Sequence, residues 1–141
     1  MIQKMTADQL EQVAQIWLES NLEAHNFIDR NYWLDNFDTV KDELQLAEVY
    51  VFQADDQLKG FVGLDGNYIA GIFIQHDYRQ QGIGRQLLDF LKANHQQLTL
   101  SVYQKNLRAL KFYQQNDFKV TSEDIEADNQ EKEYQMEWKK S

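Results

Sequence analysis

The chain has 141 residues, 43% of them hydrophobic and 13% aromatic, which supplies one core for one domain over residues 1–141 and excludes a disordered polymer. It contains no cysteine and no proline, so disulfides, thiolate zinc sites and cysteine acyl-enzymes are excluded, and turns must be built from Gly, Asn and Asp. Its 14 Lys+Arg against 23 Asp+Glu give a net charge of −9, which repels phosphate backbones and argues against nucleic acid as a partner.

Ile2–Met5 reads as a first strand. Thr6 and Gln9 form a capping box for a helix whose apolar residues Leu10, Val13, Ala14, Trp17 and Leu18 keep helical spacing, ending near Asn21. A second helical region covers Asn31–Phe37 and Val40–Leu46. Val49–Ala54 and Leu58–Leu64 are strands joined by a turn at Asp55-Asp56-Gln57, and Asp65-Gly66 marks a hairpin into a third strand, Asn67–Ile74. That last run is apolar almost throughout, which predicts a central strand buried on both faces. A glycine-bearing loop, Arg79–Gly84, leads into a helix carrying Ile83, Leu87, Leu88 and Leu91 and running to about Asn94. Leu98–Tyr103 is a strand and Asn106–Asn116 a helix with Ala109, Leu110 and Tyr113 on one face. Phe118–Ile125 and Glu131–Trp138 close the chain as two strands, the second alternating in period two. The order β-α-α-β-β-β-α-β-α-β-β is that of a mixed α/β sheet domain.

No apolar run approaches the ~20 residues of a membrane span, and MIQKMTADQL has no apolar leader core; a cytoplasmic protein without membrane attachment is expected. His25, His76 and His95 are scattered without ligand spacing, so no metal is expected. The charge is uneven. Residues 1–78 hold fourteen acids against four bases, whereas Arg79–Lys111 hold six bases (Arg79, Arg85, Lys92, Lys105, Arg108, Lys111) against Asp89 alone. An anionic ligand near the middle segment and a cationic one near the first half would fit this division.

The loop Arg79-Gln80-Gln81-Gly82-Ile83-Gly84 lies between a strand and a helix. Glycines admit close approach of the backbone, the first N–H groups of a helix lack intrahelical partners, and the helix dipole favours an anion there. Arg79 and Arg85 can add charge-assisted bonds. Gly-x-Gly alone also reads as an ordinary strand-to-helix turn. A Walker loop is excluded because no Gly-Lys-Ser/Thr follows, and a dinucleotide fingerprint would need glycine where Leu87 stands.

Arg79-x-x-Gly82-x-Gly84 resembles the signature of the GCN5-related N-acetyltransferases, the GNAT superfamily. Asn106-x-x-Ala109-x-x-Phe112-Tyr113-x-x-x-Asp117-Phe118 is similar to that family's Asn-x-x-Ala-x-x-Phe-Tyr-x-x-x-Gly-Phe segment. Ile16–Ser20, His25, Phe27-Ile28, Tyr32-Trp33 and Val102–Asn106 resemble more narrowly the YiaC-type bacterial acetyltransferases. His76 stands where the family often has proline, Asp117 where it has glycine, and Arg79 where it has glutamine. Near a helix C-terminus a left-handed Asp at 117 is tolerated.

The resemblance implies the GNAT fold, a mostly antiparallel sheet of about six or seven strands with about four helices, and an acetyl-CoA-dependent N-acetyltransferase acting on a primary amine, either a small molecule or a protein lysine. It implies that Ile72, Phe73 and Ile74 hold the pantetheine arm and thioester carbonyl. It likewise gives the diphosphate to Arg79, Gln80, Gln81, Gly82, Ile83, Gly84 and Arg85, with Asn106, Ala109 and Phe112 as further contacts. Asn106 also reads as a plain N-cap. With no cysteine, direct attack in a ternary complex is expected. Tyr113 is the candidate general acid, because a phenol is protonated at neutral pH and a thiolate is a competent acceptor; a core aromatic is its other reading. Candidate bases are His25, Glu19, Asp65 or a water, His25 having the most suitable ordinary pKa. Glu19, Phe27, Tyr32, Trp33 and Tyr68 are candidates for the amine pocket, since aromatic faces attract cations. A second reading is a CoA-binding sensor or interaction module without turnover. A monomer and a homodimer both fit.

Overall fold

The computed structural model describes residues 1–141. Seven strands form one sheet: β1 (Ile2–Lys4), β2 (Glu48–Ala54), β3 (Gln57–Asp65), β4 (Tyr68–Ile74), β5 (Gln97–Tyr103), β6 (Lys119–Glu126) and β7 (Glu131–Lys139). Five helices accompany it: α1 (Leu10–Ala24), α2 (Arg30–Asp35), α3 (Phe37–Leu46), α4 (Ile83–Ala93) and α5 (Leu107–Gln115). The sheet order is β1-β2-β3-β4-β5-β7-β6, and β4–β5 is its one parallel pair.

The alternation along the strands sends side chains to two cores. Val51 and Phe61 pack with Val13 and Ile16 of α1 and Leu44 of α3. Their neighbours Phe52 and Val62 point the other way, toward Leu87, Leu88 and Leu91 of α4 and Tyr113 of α5. A third, smaller cluster (Leu18, Ile28 and Trp33) lies under α2.

Most elements lie within two residues of their expected bounds, and three differ for identifiable reasons. Helix α1 runs to Ala24, because neither glycine nor proline follows Asn21 to stop it; the last bond is His25 N–H to the Asn21 carbonyl at 2.9 Å. The second helical region is two helices. Asp29 caps α2 by accepting from the Asn31 N–H at 2.8 Å, and the chain turns at Asn36, whose Nδ2 donates to the Tyr32 carbonyl at 2.6 Å before α3 begins. Strand β4 is central but not buried on both faces: Ile69 is 1% exposed, whereas Ile72, Phe73 and Ile74 are half-buried.

The last difference creates the site. β4 pairs with β5 only at Tyr68–Thr99 and Ile69–Leu100. On its other side Gly63 faces Gly71 while Leu64 faces Ile69, so Ala70 is an extra residue, a bulge. A bulge bends the strand that carries it. Beyond it, β4 stays with β3 and leaves β5, and the sheet opens as a V.

Candidate active site

A cleft of about 770 Å³ occupies that opening. Its walls are the last two turns of α1, the open half of β4, the loop into α4, and the start of α5 with the residues before it.

On the β4 wall stand Ile72, Phe73 and Ile74, with no strand partner on the β5 side. In the loop, Gly82 is the N-cap of α4 at φ +79°, a left-handed conformation open to glycine at little cost, and Gln80 is also left-handed at φ +63°. The main-chain N–H groups of residues 81–85 donate to no group of the chain. They are the orphan donors of a helix start, and the cleft is where they emerge. Gly84 has a different reason to be glycine: a Cβ there would lie 2.9 Å from Cζ of Phe112, so the first turn of α4 rests on that ring.

The cleft gathers Arg79, Arg85, Lys105 and Arg108, and one carboxylate, Glu23. Glu23 Oε1 accepts from Arg79 Nη1 at 2.6 Å and lies 2.9 Å from His76 Nδ1. Partial burial pushes the Glu23 carboxyl up, but the His76 hydrogen bond and the Arg79 charge outweigh it and hold it below the usual carboxylate range. Arg79 Nε also reaches the Ile74 carbonyl at 3.4 Å, so its guanidinium lies across the mouth of the V.

From α5, Asn106, Ala109, Phe112 and Tyr113 line the opposite wall. Asn106 caps the helix, its Oδ1 accepting from the Ala109 N–H at 3.2 Å. Tyr113 is 7% exposed and packs edge-on against Phe112 and Phe118, while its hydroxyl bonds to no group of the protein. Burial pushes this phenol well above the ordinary tyrosine value, with a smaller contribution from Tyr68, so it keeps its proton at neutral pH. After α5 the chain reverses through Asp117 at φ +73°, with Phe118 N–H to the Tyr113 carbonyl at 3.0 Å and Asp117 N–H to the Gln114 carbonyl at 3.2 Å. This is the Schellman pattern, made here by Asp rather than Gly.

Of the expected cofactor contacts, Gln81 alone is absent from the lining. The expected amine-pocket residues are placed otherwise. Glu19 is exposed and takes a bond from Gln15 Nε2; Trp33 is 6% exposed inside the α2 cluster; Tyr68 donates to Ser101 Oγ at 3.0 Å. Phe27 and Tyr32 belong to an aromatic group with Tyr103 and Trp33 beside the cleft rather than on its surface. Tyr103 and Tyr32 donate to Glu126 at 2.7 Å and Asp128 at 2.8 Å, at the β6–β7 turn. Asp65 is exposed at the β3–β4 turn and does not line the cleft. His25 does line it, but both ring nitrogens are engaged, Nδ1 2.9 Å from Asn21 Oδ1 and Nε2 3.0 Å from Asn106 Nδ2. Burial lowers its pKa to about 4. A base needs a free lone pair, so this geometry argues against that role.

Asn21, Glu23 and Arg108 were not among the sequence candidates. Asn21 and His25 stand four apart on one helix, the spacing of facing side chains, which was a legible signal. Nothing local marks Glu23, because its partners are 53 and 56 residues away.

Comparison with known proteins agrees with this geometry. The family model described as "Acetyltransferase (GNAT) domain" matches residues 12–139. The chain is 36% identical over 122 residues to peptidyl-lysine N-acetyltransferase YiaC of Escherichia coli K12, covering 85% of this chain and 84% of that one. To peptidyl-lysine N-acetyltransferase YjaB of Salmonella typhimurium it is 32% identical over 121 residues, covering 85% and 83%. The solution structure of apo YjaB from Escherichia coli superposes with a TM-score of 0.86 at 27% identity, covering 97% of this chain and 95% of that one. An open V between two parallel strands, a basic loop with unpartnered amides and a capped helix bearing a free phenol thus coincide with a match over nearly the whole chain, which belongs to the GNAT family and is an acetyl-CoA-dependent N-acetyltransferase.

Proposed function

We propose that this enzyme acetylates lysine side chains of proteins, by direct attack of the amine in a ternary complex, from a bacterial cytoplasm. The observation that carries the mechanism is the Tyr113 hydroxyl, buried, protonated and unpartnered at the edge of the cleft. Acetyl-CoA supplies an acyl group activated as a thioester. Main-chain groups along Ile72–Ile74 hold the pantetheine arm and polarise the thioester carbonyl, since the β5 side of that strand is unpaired. Gly82, Ile83, Gly84 and Arg85 offer main-chain donors to the diphosphate, and Arg79, Arg85 and Arg108 neutralise its charge. As the amine nitrogen bonds to the carbonyl carbon and the carbon–sulfur bond breaks, Tyr113 gives its proton to the departing sulfur and recovers one from solvent. With no cysteine the acyl group has no thiol stop on the protein. The amine proton leaves to water, because His25, Glu19 and Asp65 are engaged or outside the cleft.

A protein lysine as acceptor follows the names of both relatives. It also suits the side of the molecule beyond His25, where aromatic rings meet the carboxylates of Glu126 and Asp128. Thiol release from acetyl-CoA should appear with lysine peptides and with folded lysine-bearing proteins, and mass spectrometry should find one added acetyl on an ε-amine. Tight acetyl-CoA binding with no transfer to any amine would instead favour the sensor reading.

A further inference from the structure

His25 sits between the two walls of the cleft, just beyond the end of α1. Its ring stacks on Trp33 (centroids 5.4 Å, 27° between planes) and meets Phe27 at 5.7 Å and Tyr103 at 5.0 Å, both edge-on. Both of its hydrogen bonds have their direction set from the far end. Asn21 Nδ2 donates to the Trp17 carbonyl at 2.9 Å, so Asn21 presents oxygen to the ring, and Nδ1 must carry the hydrogen. Asn106 Oδ1 accepts from the Ala109 N–H, so Asn106 presents its NH2, and Nε2 must offer a lone pair. The result is one unbroken relay from the Trp17 carbonyl through Asn21, His25 and Asn106 to the first turn of α5. Asn21, its second member, is 4% exposed. A second proton on the ring would set an N–H against the Asn106 amide. The titratable and charged groups near the ring are held by other partners: Tyr103 gives its hydroxyl to Glu126, Lys105 lies over the Phe27 ring at 5.4 Å and pairs with Glu131 at 3.0 Å, and Glu23 is paired with Arg79 at 2.6 Å.

We propose that His25 is a positioning residue: as the neutral Nδ1–H tautomer it ties the end of α1 to the cap of α5, and so holds Asn106 and the helix bearing Tyr113 in register with the opposite wall. The kinetic consequence rests on the acetyltransferase reading; the relay does not. A merely structural histidine would tolerate either amide replacement alike. A general base would tolerate neither. A relay distinguishes them, because a glutamine carbonyl reaches about as far as Nε2, whereas an asparagine reaches only as far as Nδ1.

The first test is imidazole 15N NMR on the wild-type protein without ligand. The expected result is a protonated Nδ1 and a bare Nε2, unchanged as the pH falls from about 8 to about 5.5. An Nε2–H tautomer, or titration near the ordinary value of about 6.5, overturns the proposal. The second compares His25→Gln with His25→Asn, each checked for folding by circular dichroism. Turnover should stay within about threefold of wild type in the Gln variant and fall about 10²-fold in the Asn variant, the loss expected of a misplaced catalytic group. Equal loss in both, a greater loss in Gln, or no loss in either overturns the positioning role. If the wild-type chain acetylates no amine, the acetyltransferase reading falls by itself and the tautomer still decides the relay.

Discussion

Strand β5 has two edges with opposite fates. Toward β7 it is paired from Gln97–Lys139 to Tyr103–Glu133, along its whole length. Toward β4 it is paired at Tyr68–Thr99 and Ile69–Leu100 and nowhere else. The closed edge spends its main-chain groups on the sheet, and its side chains Leu98, Leu100 and Met136 are at most 1% exposed. The open edge leaves main-chain groups of Ile72–Ile74 for a ligand and exposes their side chains to the cleft. Backbone polar groups must be paired somewhere, so an unzipped strand inside a sheet is a binding surface by construction. Stability and chemistry are therefore carried by opposite sides of one strand.

Substitutions that strike one edge and spare the other sharpen this contrast. The largest effect is expected for Tyr113→Phe, which removes only the hydroxyl facing the open edge. Turnover should fall by about 10²–10⁴-fold, with acetyl-CoA affinity unchanged by calorimetry; undiminished turnover removes Tyr113 from the mechanism. On the closed edge, Met136→Ala, in the strand that pairs with β5 away from the cleft, should cost about 2–5 kcal/mol in denaturant unfolding while the folded protein keeps its acetyl-CoA affinity. A matched Ile72→Ala should do the reverse, raising KM at little cost in stability, and a larger stability loss there would mean that the open edge is also part of the core. Next comes Arg79→Ala, expected to weaken acetyl-CoA binding by about tenfold or more and to flatten its salt dependence, as the loss of one charge-assisted contact requires. Glu23→Gln should act in the opposite sense. Glu23 holds Arg79 as an internal anion, so removing its charge should tighten binding by about two- to fivefold, the scale of a partly exposed ion pair. Weaker binding would show that the carboxylate orients the guanidinium instead. The smallest change is Asp117→Gly. It relieves a left-handed non-glycine residue and should add about 0.5–1 kcal/mol to unfolding stability with no effect on turnover.

The relation of pH to stability offers a check on the same wall of the cleft. His25 titrates near 4 when folded and near its ordinary value when unfolded, so between those values the unfolded chain binds more protons. Stability should therefore fall as pH drops through that window, and His25→Gln should remove that part of the slope.

Much of this was legible in the residues. The order of elements follows from periodicity and turn chemistry, and the left-handed residues at Asp55, Asp56, Gly66 and Asp117 fall where Asp and Gly had marked reversals. The loop residues Arg79, Gly82 and Gly84 and the wall residues Asn106, Ala109, Phe112 and Tyr113 were found from two spaced motifs, and the fold brings them to one cleft. The acceptor side was not legible. Trp33 and Tyr68 have the composition of a cation pocket, but Trp33 fills the α2 cluster and Tyr68 leans on Ser101. An aromatic residue packs into whichever apolar space is nearest, and residue type alone does not say which.

Local chemistry thus determined the helices, strands, turns and loop, because caps, periodicity and backbone sterics act over a few residues. Tertiary structure alone decided three things: that β4 leaves β5 after two pairs, that Glu23 answers Arg79 across the cleft, and that His25 joins Asn21 to Asn106 rather than serving as a free base. The Glu23–Arg79 and His25–Asn106 contacts join groups more than fifty residues apart, and the parting of β4 from β5 depends on where a bulge turns one strand away from another. No short-range preference encodes either, since each becomes favourable only once the surrounding core has brought the partners together.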